Sequence, residues 1–422
     1  MTEPYLLLHL ALFGGGALLI RLMCRGESAR CRELLAAYVV AYAARVATTI
    51  VLYRSSTYGL FFFDDWAYDR QASILAFSSP TGLSMMQTQL GTFHVGYPLV
   101  VSWIYSIAGH SILSAEILNA FFAALTAPLA YFIAEDVIPD HRTARIALWT
   151  TALFLYDIVW SAFLLKDTIL LFLVTASTLS GIKAIKRRSV LQFCVFSCLA
   201  MIVAVFRYYA AATLCISWLL AVIAGTTRSC TKTPERRWAV FLLGGVVVAA
   251  VAWRAFSWIT EYALGLGGGF MDVSENLRVG GYTPLVFSPT LHYLVQLAHG
   301  ITVYFLGPFP WVFHGVDTFN YIFYPGMYLI YGMMPFFFLG IRQLMRDLNP
   351  VGVFIVLVIM LHAAMEIYAY QDAERQRIMT DVLFVTCVAI GWRLRDQAKT
   401  LIPAVYVGLA IIMCVHLSTQ LF

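Results

Sequence analysis

Charged side chains are scarce in this sequence. Only 12% of its 422 residues are Asp, Glu, Lys or Arg, whereas 61% are hydrophobic and the mean hydropathy is +0.78. A soluble domain of this length does not need so much apolar surface, so a soluble enzyme or binding module is excluded. Unbroken apolar runs of about 20 residues instead predict an all-α polytopic membrane protein.

The sequence also lacks the cysteine patterns of zinc sites and disulfide frameworks. Its eight cysteines are scattered, and Cys194 and Cys198 lie one helical turn apart in an apolar run, which indicates packing. The first apolar run, 5–20, lacks a preceding basic region and a small-residue cleavage site, so we expect a retained helix. No soluble domain is visible, and 1–422 is expected to form one integral membrane domain.

Apolar runs and their polar breaks predict about twelve membrane-spanning helices. The predicted spans are 4–20, 33–53, 113–135, 146–164, 168–184, 190–206, 210–226, 238–256, 321–341, 351–369, 379–392 and 401–420. Within this arrangement, 1–32 adds an N-terminal helix, 33–395 forms the core and 396–422 adds a C-terminal helix.

The distribution of Lys and Arg predicts the orientation. Alternate loops hold 19 of the 28 basic residues, at 21–32, 142–145, 183–188, 228–237, 342–346 and 393–399. The positive-inside rule places these loops in the cytoplasm and both termini outside. This orientation requires that Tyr97 to Ala108, at about twelve residues, does not cross the bilayer and lies on the outer face.

The few charges outside those loops fall near the predicted outer ends of helices. Three carboxylates and a guanidinium follow the second helix, at Asp64, Asp65, Asp69 and Arg70. Short turns carry the others, and these are Lys166 with Asp167, Arg207 with Tyr208, and Arg375 with Arg377. Charges are costly at the bilayer centre, so we expect these groups to converge in one outer cavity.

Such a cavity suits a substrate that contains a phosphate and a sugar. Arg and Lys bind phosphate, and a carboxylate can act as general base on a hydroxyl group. Carboxylates also bind Mg²⁺ or Mn²⁺, and Asp65 and Asp167 are the candidate ligands. Aromatic residues such as Trp66 and Tyr68 can stack on sugar rings or anchor at the interface.

Several motifs resemble those of GT-C-fold glycosyltransferases, which take sugars from polyprenyl-phosphate donors outside the membrane. The segment 64–68, Asp-Asp-Trp-Ala-Tyr, resembles their Asp-acidic-x-x-Tyr motif, and Tyr97-Pro98-Leu99 partly resembles their His-Pro-Pro-Leu segment. Four more segments resemble bacterial polysaccharide-cluster members related to family 39 glycosyltransferases, at 161–167, 207–208, 307–311 and 375–377. The resemblance implies a GT-C-like bundle with interfacial helices in the first long outer loop.

The resemblance also implies roles for individual residues. Asp64 would be the catalytic base, and Asp65 would support it or bind a metal. The substrate-binding residues would be Tyr68, Asp69, Arg70, His94, Lys166, Asp167, Arg207, Tyr208, Arg375 and Arg377. The partners would be a polyprenyl-phosphate sugar donor, a glycan or lipid acceptor and membrane lipids, at the bacterial inner membrane with an extracytoplasmic active site.

Other interpretations of the same residues stay open. Asp64 and Asp65 can cap an interfacial helix, and Arg45, within the second predicted helix, is expected to form a buried structural pair. Two other functions also fit the topology. One is a repeat-unit polymerase that uses undecaprenyl-diphosphate oligosaccharides, and the other is a non-enzymatic transporter or flippase of lipid-linked sugars, which would favour inverted repeats.

Overall fold

The computed structural model of the protein describes residues 3–24, 27–55, 61–77, 96–228, 300–307, 322–346, 349–369, 375–397, 399 and 401–421. The predicted span 238–256 and the predicted substrate residue His94 lie outside these residues. Arg375 is described by its backbone alone.

The described segments fold into α-helices joined by short turns. In chain order, the helices are α1 Glu3–Cys24, α2 Ser28–Ser55, α3 Phe63–Phe77, α4 Gly96–Ala108, α5 Ile112–Val137, α6 His141–Ala152, α7 Leu155–Trp160, α8 Asp167–Arg187, α9 Val190–Arg228, α10 Tyr324–Arg346, α11 Pro350–Ala369, α12 Asp381–Arg393 and α13 Leu401–Leu421. Two 3₁₀ helices, Arg375–Thr380 and Arg395–Gln397, flank α12.

Within the part of the chain that the structure describes, six helical segments are long and apolar enough to cross a membrane. They are Leu7–Cys24, Ser28–Ser55, Ile112–Val137, Asp167–Arg187, Val190–Gly225 and Tyr324–Arg346. The protein is therefore an all-α polytopic membrane protein, as the composition predicts. Helix α4 has 13 residues, which gives a length of about 20 Å against the roughly 30 Å of a bilayer core. It is too short to span, in agreement with its predicted place in an outer loop.

The predicted span 146–164 is wrong, because the chain there is not one helix. Helix α6 ends at Ala152, the short α7 begins at Leu155, and 161–166 forms turns. The buried guanidinium of Arg45 on α2 donates to the carbonyl oxygens of Ala152 at 2.9 Å and Thr151 at 3.3 Å. A helix leaves its last carbonyl groups without partners. Arg45 supplies those partners and so stabilises the break inside the bundle.

Helix α9 is a pair of antiparallel helices joined at Arg207. That residue is extended, with φ −155° and ψ 97°, whereas its neighbours are helical. The ring of Trp218 lies 4.8 Å from that of Phe193 and 5.8 Å from that of Phe196, between centroids. These contacts require the chain to reverse at Arg207, where the sequence predicts a turn between two spans.

The loops predicted to be cytoplasmic meet at one end of the bundle. Arg30 forms an ion pair with Glu135 at 2.8 Å, and Lys186 forms one with Asp136 at 3.0 Å. Arg145 pairs with Glu33, and Arg393 lies 3.9 Å from Asp140. Asp167 begins the 21-residue helix whose last turn carries Lys186, and Arg207 lies 3.5 Å from Asp167, so these two residues are at the other end of the bundle. The structure thus separates a basic end from a second, mixed-charge end.

Candidate functional site at the mixed-charge end of the bundle

The first turn of α3 gives its two adjacent aspartates different environments. Asp65 is fully buried, and its Oδ2 accepts hydrogen bonds from the backbone N–H groups of Phe61 and Phe62, both at 3.1 Å. The Phe62 ring stacks on that of Trp160 with centroids 5.5 Å apart. Asp65 therefore fixes the entry of the chain into α3. Asp64 is about 100° away around the helix axis and is partly exposed.

Asp69 ties α3 to the helices that follow it. Its Oδ1 accepts a hydrogen bond from the hydroxyl of Tyr105 at 2.6 Å and lies 2.8 Å from Nε2 of His110. Burial and this hydrogen bond hold the pKa of the Tyr105 phenol well above its usual value, so it stays a donor at neutral pH. The carboxylate has a structural task here, and its substrate-binding role stays a prediction.

Lys166 is held by a set of contacts among α3, α4 and α5. Its ammonium nitrogen lies 5.9 Å from the centroid of the Tyr68 ring, which packs edge-on against Tyr97 at 5.0 Å. The Asn119 amide donates to the Tyr97 hydroxyl at 2.9 Å and to the carbonyl oxygens of 163 and 165 at 2.7 and 3.0 Å. These bonds fix the turn that ends at Lys166, and the side chain is 4% exposed.

Arg207 lies between two buried carboxylates. Its Nη2 is 3.5 Å from Oδ1 of Asp167, and its Nη1 is 3.3 Å from Oε1 of Glu366. The same Glu366 oxygen is 3.5 Å from Nε2 of His362. Arg207 is 3% exposed, so the site holds it rigidly. Its predicted role as a phosphate ligand stays untested, and its observed contacts orient α8, α9 and α11 around Lys166.

Arg377 lies in the protein interior, where all three guanidinium nitrogens are engaged. It donates from Nε to Asp381 at 3.2 Å and from Nη1 to the carbonyl oxygen of Phe305 at 3.1 Å. Nη2 is 3.8 Å from the sulfur of Met327, and the guanidinium lies 4.6 Å above the Tyr156 ring. The sequence predicts a phosphate contact here, but this geometry gives Arg377 the task of joining helices.

Two further predicted substrate residues border the site. Tyr208 is partly buried, with its ring 5.6 Å from that of Tyr209, and Arg70 is exposed on α3. The structure thus brings together Asp65, Tyr68, Lys166, Asp167 and Arg207 through successive contacts. Asp64 adjoins them at the start of α3.

Sequence reasoning missed Glu116 and Asn119 as parts of this site. Glu116 is 1% exposed, in the second turn of α5, and its carboxyl group is close enough to Asp65 for the two to interact electrostatically. Their spacing could have identified them, because two polar residues three apart in an apolar run lie on the same helix face. Glu366 is isolated in an apolar run, where no neighbouring charge marks it as part of the site.

The proposed pair of metal ligands does not fit a shared cation. One oxygen of Asp65 accepts hydrogen bonds from two backbone N–H groups, and Asp167 lies 3.5 Å from the guanidinium of Arg207. Among the residues that the structure describes, no group of three or more His, Cys, Asp or Glu side chains could hold a metal ion. The metal role of Asp65 and Asp167 stays a prediction.

The chain was compared with protein families, curated proteins and solved structures, and it matches only among solved structures. No protein-family model and no curated protein matches the chain. Among solved structures, the chain is similar to the archaeal oligosaccharyltransferase AglB from Archaeoglobus fulgidus, in complex with an inhibitory peptide and a dolichol-phosphate. The TM-score is 0.48 at 15% identity, over 92% of this chain and 54% of that one. The chain therefore spans about half the length of this structure.

Proposed function

We propose that the protein is a membrane glycosyltransferase of the GT-C type, which moves a sugar from a polyprenyl-phosphate donor to a hydroxyl group of a glycan or lipid. The observation that carries this proposal is the convergence of α3 carboxylates with a fixed cation. Asp65 and Tyr68 of α3, Lys166 before α8 and Arg207 within α9 meet at one end of the bundle. In a protein with so few charges, this end has the groups that sugar transfer from a phosphate requires.

Asp64 is the proposed general base. Asp65 is buried and bound to two backbone N–H groups, so its oxygens are poorly placed to accept a substrate proton. Asp64, the preceding residue in the first turn of α3, is partly exposed. A carboxylate within hydrogen-bond reach of an acceptor hydroxyl can take its proton as the new glycosidic bond forms.

Lys166 is the proposed partner of the leaving group. The sugar C1 forms a bond to the acceptor oxygen while its bond to the phosphate oxygen breaks, and that electron pair remains on the lipid phosphate. A fixed ammonium group beside this oxygen stabilises the charge in a site that excludes water. Arg207, held by Asp167 and Glu366, positions the turn that carries Lys166.

The site would face the extracytoplasmic side of a bacterial inner membrane. The basic loops meet at the opposite end of the bundle, and the positive-inside rule places that end in the cytoplasm. Donor and acceptor would then both reach the site from the outer leaflet.

Transfer from a labelled lipid donor tests the proposal. Membranes that contain the wild-type protein or Asp64→Asn are incubated with a polyprenyl-phosphate hexose labelled in the sugar, and new glycosidic products are measured. We expect the rate with Asp64→Asn to fall by about 10²–10⁴-fold, which is the usual contribution of a general base. Arg54→Gln, an exposed change at the end of α2, is the matched control and should keep the wild-type rate.

The products also separate the other functions. Consumption of an oligosaccharide diphosphate lipid in place of the monophosphate would favour the polymerase. Movement of the labelled lipid across the membrane without a new bond would favour the transporter. Full transfer by correctly folded Asp64→Asn would refute the role of this carboxylate.

A further inference from the structure

One buried acid at the mixed-charge end, Glu116, has no hydrogen-bond partner among the residues that the structure describes. Glu116 is 1% exposed, and neither of its carboxyl oxygens accepts a hydrogen bond from any described residue. A buried polar group without a partner costs about 1–3 kcal/mol, and a charged group costs more. Other buried acids at this end are paired, since Glu366 and Asp167 both meet Arg207.

Glu116 lies on the face of α5 that contacts the proposed reaction site. Asn119, one turn further along α5, binds the Tyr97 hydroxyl and the turn that ends at Lys166. Residues three apart share a helix face, and α5 begins at this end of the bundle. Glu116 therefore lies beside Tyr97, and both Glu116 and Asp65 act electrostatically on that phenol.

We infer that Glu116 binds the sugar part of the substrate by accepting hydrogen bonds from its hydroxyl groups. A carboxyl group has two oxygen atoms that can bond to a pair of neighbouring hydroxyl groups. Lys166 would bind the phosphate of the same molecule, so the two side chains would recognise its two polar parts separately. This inference rests on the proposed function and adds a substrate contact to it.

The first test measures the stability of the ligand-free protein. If Glu116 has no partner in the fold, Glu116→Met removes an uncompensated polar group, and the midpoint of thermal unfolding in detergent should rise by about 1–4 °C. Glu366→Met is the matched control, because it removes a buried acid that is paired with Arg207, and its midpoint should fall. A fall with Glu116→Met as well would show a structural role and overturn the inference.

The second test measures binding of two lipids that differ only in the sugar. Undecaprenyl phosphate and its hexose ester are titrated into the purified protein, and the dissociation constants are compared. Glu116→Gln should weaken binding of the hexose ester about tenfold, because an amide group replaces one of the two carboxyl oxygens that bind the sugar. Its effect on undecaprenyl phosphate should be less than about twofold on the same ground. Lys166→Gln should weaken the binding of both lipids.

The outcomes separate the two proposals. If the wild type binds both lipids and Glu116→Gln changes neither, or changes both equally, the sugar contact is refuted while the proposed function stands. If the wild type binds neither lipid, the proposed function fails and the inference fails with it.

Discussion

Asp64 and Asp65 are neighbours in the first turn of α3, but their side chains have different environments. Asp65 is buried and accepts from two backbone donors, whereas Asp64 is partly exposed. The helix-cap interpretation of this acidic pair therefore describes Asp65, and the catalytic interpretation concerns Asp64. Function and stability should accordingly respond to different substitutions.

Stability should depend on Asp65 far more than on Asp64. Asp65→Ala leaves the N–H groups of Phe61 and Phe62 without their acceptor, which should lower the free energy of unfolding by about 1–3 kcal/mol. Asp64→Ala should change it by less than about 0.5 kcal/mol. Denaturant unfolding of the purified variants measures both values, and equal losses would contradict the division of tasks.

Arg45 should be among the most sensitive positions in the chain. It is fully buried, binds the carbonyl oxygens at the end of α6 and interacts with the buried carboxyl group of Asp157. Arg45→Met leaves these groups uncompensated, so we expect a loss of about 3–5 kcal/mol. Unfolding measurements on Arg45→Met and on Arg54→Met, an exposed arginine of the same helix, provide the comparison.

A double variant tests whether the charge on Asp157 is part of that loss. Arg45→Met combined with Asp157→Leu should lose less stability than the sum of the two single variants, because residues that share an interaction are not additive. Strict additivity would show that Arg45 acts only through the α6 carbonyl groups.

The sequence identified charges at helix ends more easily than acids inside apolar runs. Lys166, Asp167 and Arg207 fall in short breaks, so their level in the membrane follows from counting residues, and the structure places Asp167 against Arg207. Glu116 and Glu366 lie within apolar helices. Their roles depend on which face each helix turns inward, and a uniformly apolar run does not specify that rotation. The burial of Arg377 likewise depends on distant carbonyl groups.

At the scale of helices, α10 and α12 approach each other closely at two glycines. A Cβ atom on Gly340 would overlap the carbonyl oxygen of Cys387, and one on Gly391 would overlap that of Phe336. Small residues permit such backbone contact between membrane helices. This crossing holds the short helix α12, and with it Asp381, in the bundle interior.

Substitution at this crossing should be costly. Gly340→Ala or Gly391→Ala would force the two helices apart, and we expect a loss of about 1–3 kcal/mol, as for overpacking in a core. Gly332→Ala, on α10 with open space around it, should be neutral or stabilise by up to about 1 kcal/mol. Thermal unfolding of the three variants compares them directly.

The cap at the start of α6 makes a pH-dependent contribution to the free energy of unfolding. Asp140 caps this helix, accepting from the N–H groups of Arg142 at 3.3 Å and Thr143 at 3.2 Å. The hydrogen bond from the Thr143 hydroxyl, first among several causes, lowers the pKa of Asp140. Its contribution is therefore complete above the unfolded-state pKa of about 3.9 and is lost as pH falls through the lower folded value.

The cap should be visible in unfolding experiments at two pH values. At pH 7, Asp140→Ala should cost about 1 kcal/mol. The difference from wild type should shrink progressively as the pH falls below about 4. Asp396→Ala, an exposed acid near the same end, serves as the control, and a pH-independent difference for Asp140→Ala would contradict the assignment.

The break between α6 and α7 shows where prediction from sequence fails at this scale. Most helices follow from long apolar runs, and the hairpin of α9 follows from the charged turn at Arg207. The break at 153–154 contains no glycine or proline, so no local signal ends the helix there. The partner that stabilises it, Arg45, lies 107 residues earlier in the chain.

For the molecule as a whole, orientation is the property on which the proposed function depends. Four of the basic loops, at 21–32, 142–145, 183–188 and 393–399, gather at one end, and the candidate site lies at the other. We expect Arg70, exposed on α3, and Arg142, exposed at the start of α6, to face opposite sides of the membrane.

Cysteine labelling measures this orientation. In a variant without the eight natural cysteines, Arg70→Cys should react with a membrane-impermeant maleimide in intact cells. Arg142→Cys should react only after the membrane is made permeable. The opposite pattern would place the site in the cytoplasm and would rule out a donor from the outer leaflet.

The pairing of Arg45 with the end of α6 also bears on how the protein is made. The carbonyl groups that accept hydrogen bonds from this arginine leave the ribosome 106 and 107 residues after it, which corresponds to roughly 5–20 s of synthesis. Until then α2 carries a charge that costs about 2.5–3.5 kcal/mol in the bilayer. We therefore expect α2 to remain beside the insertion machinery until α6 arrives, so that the two helices enter the lipid together.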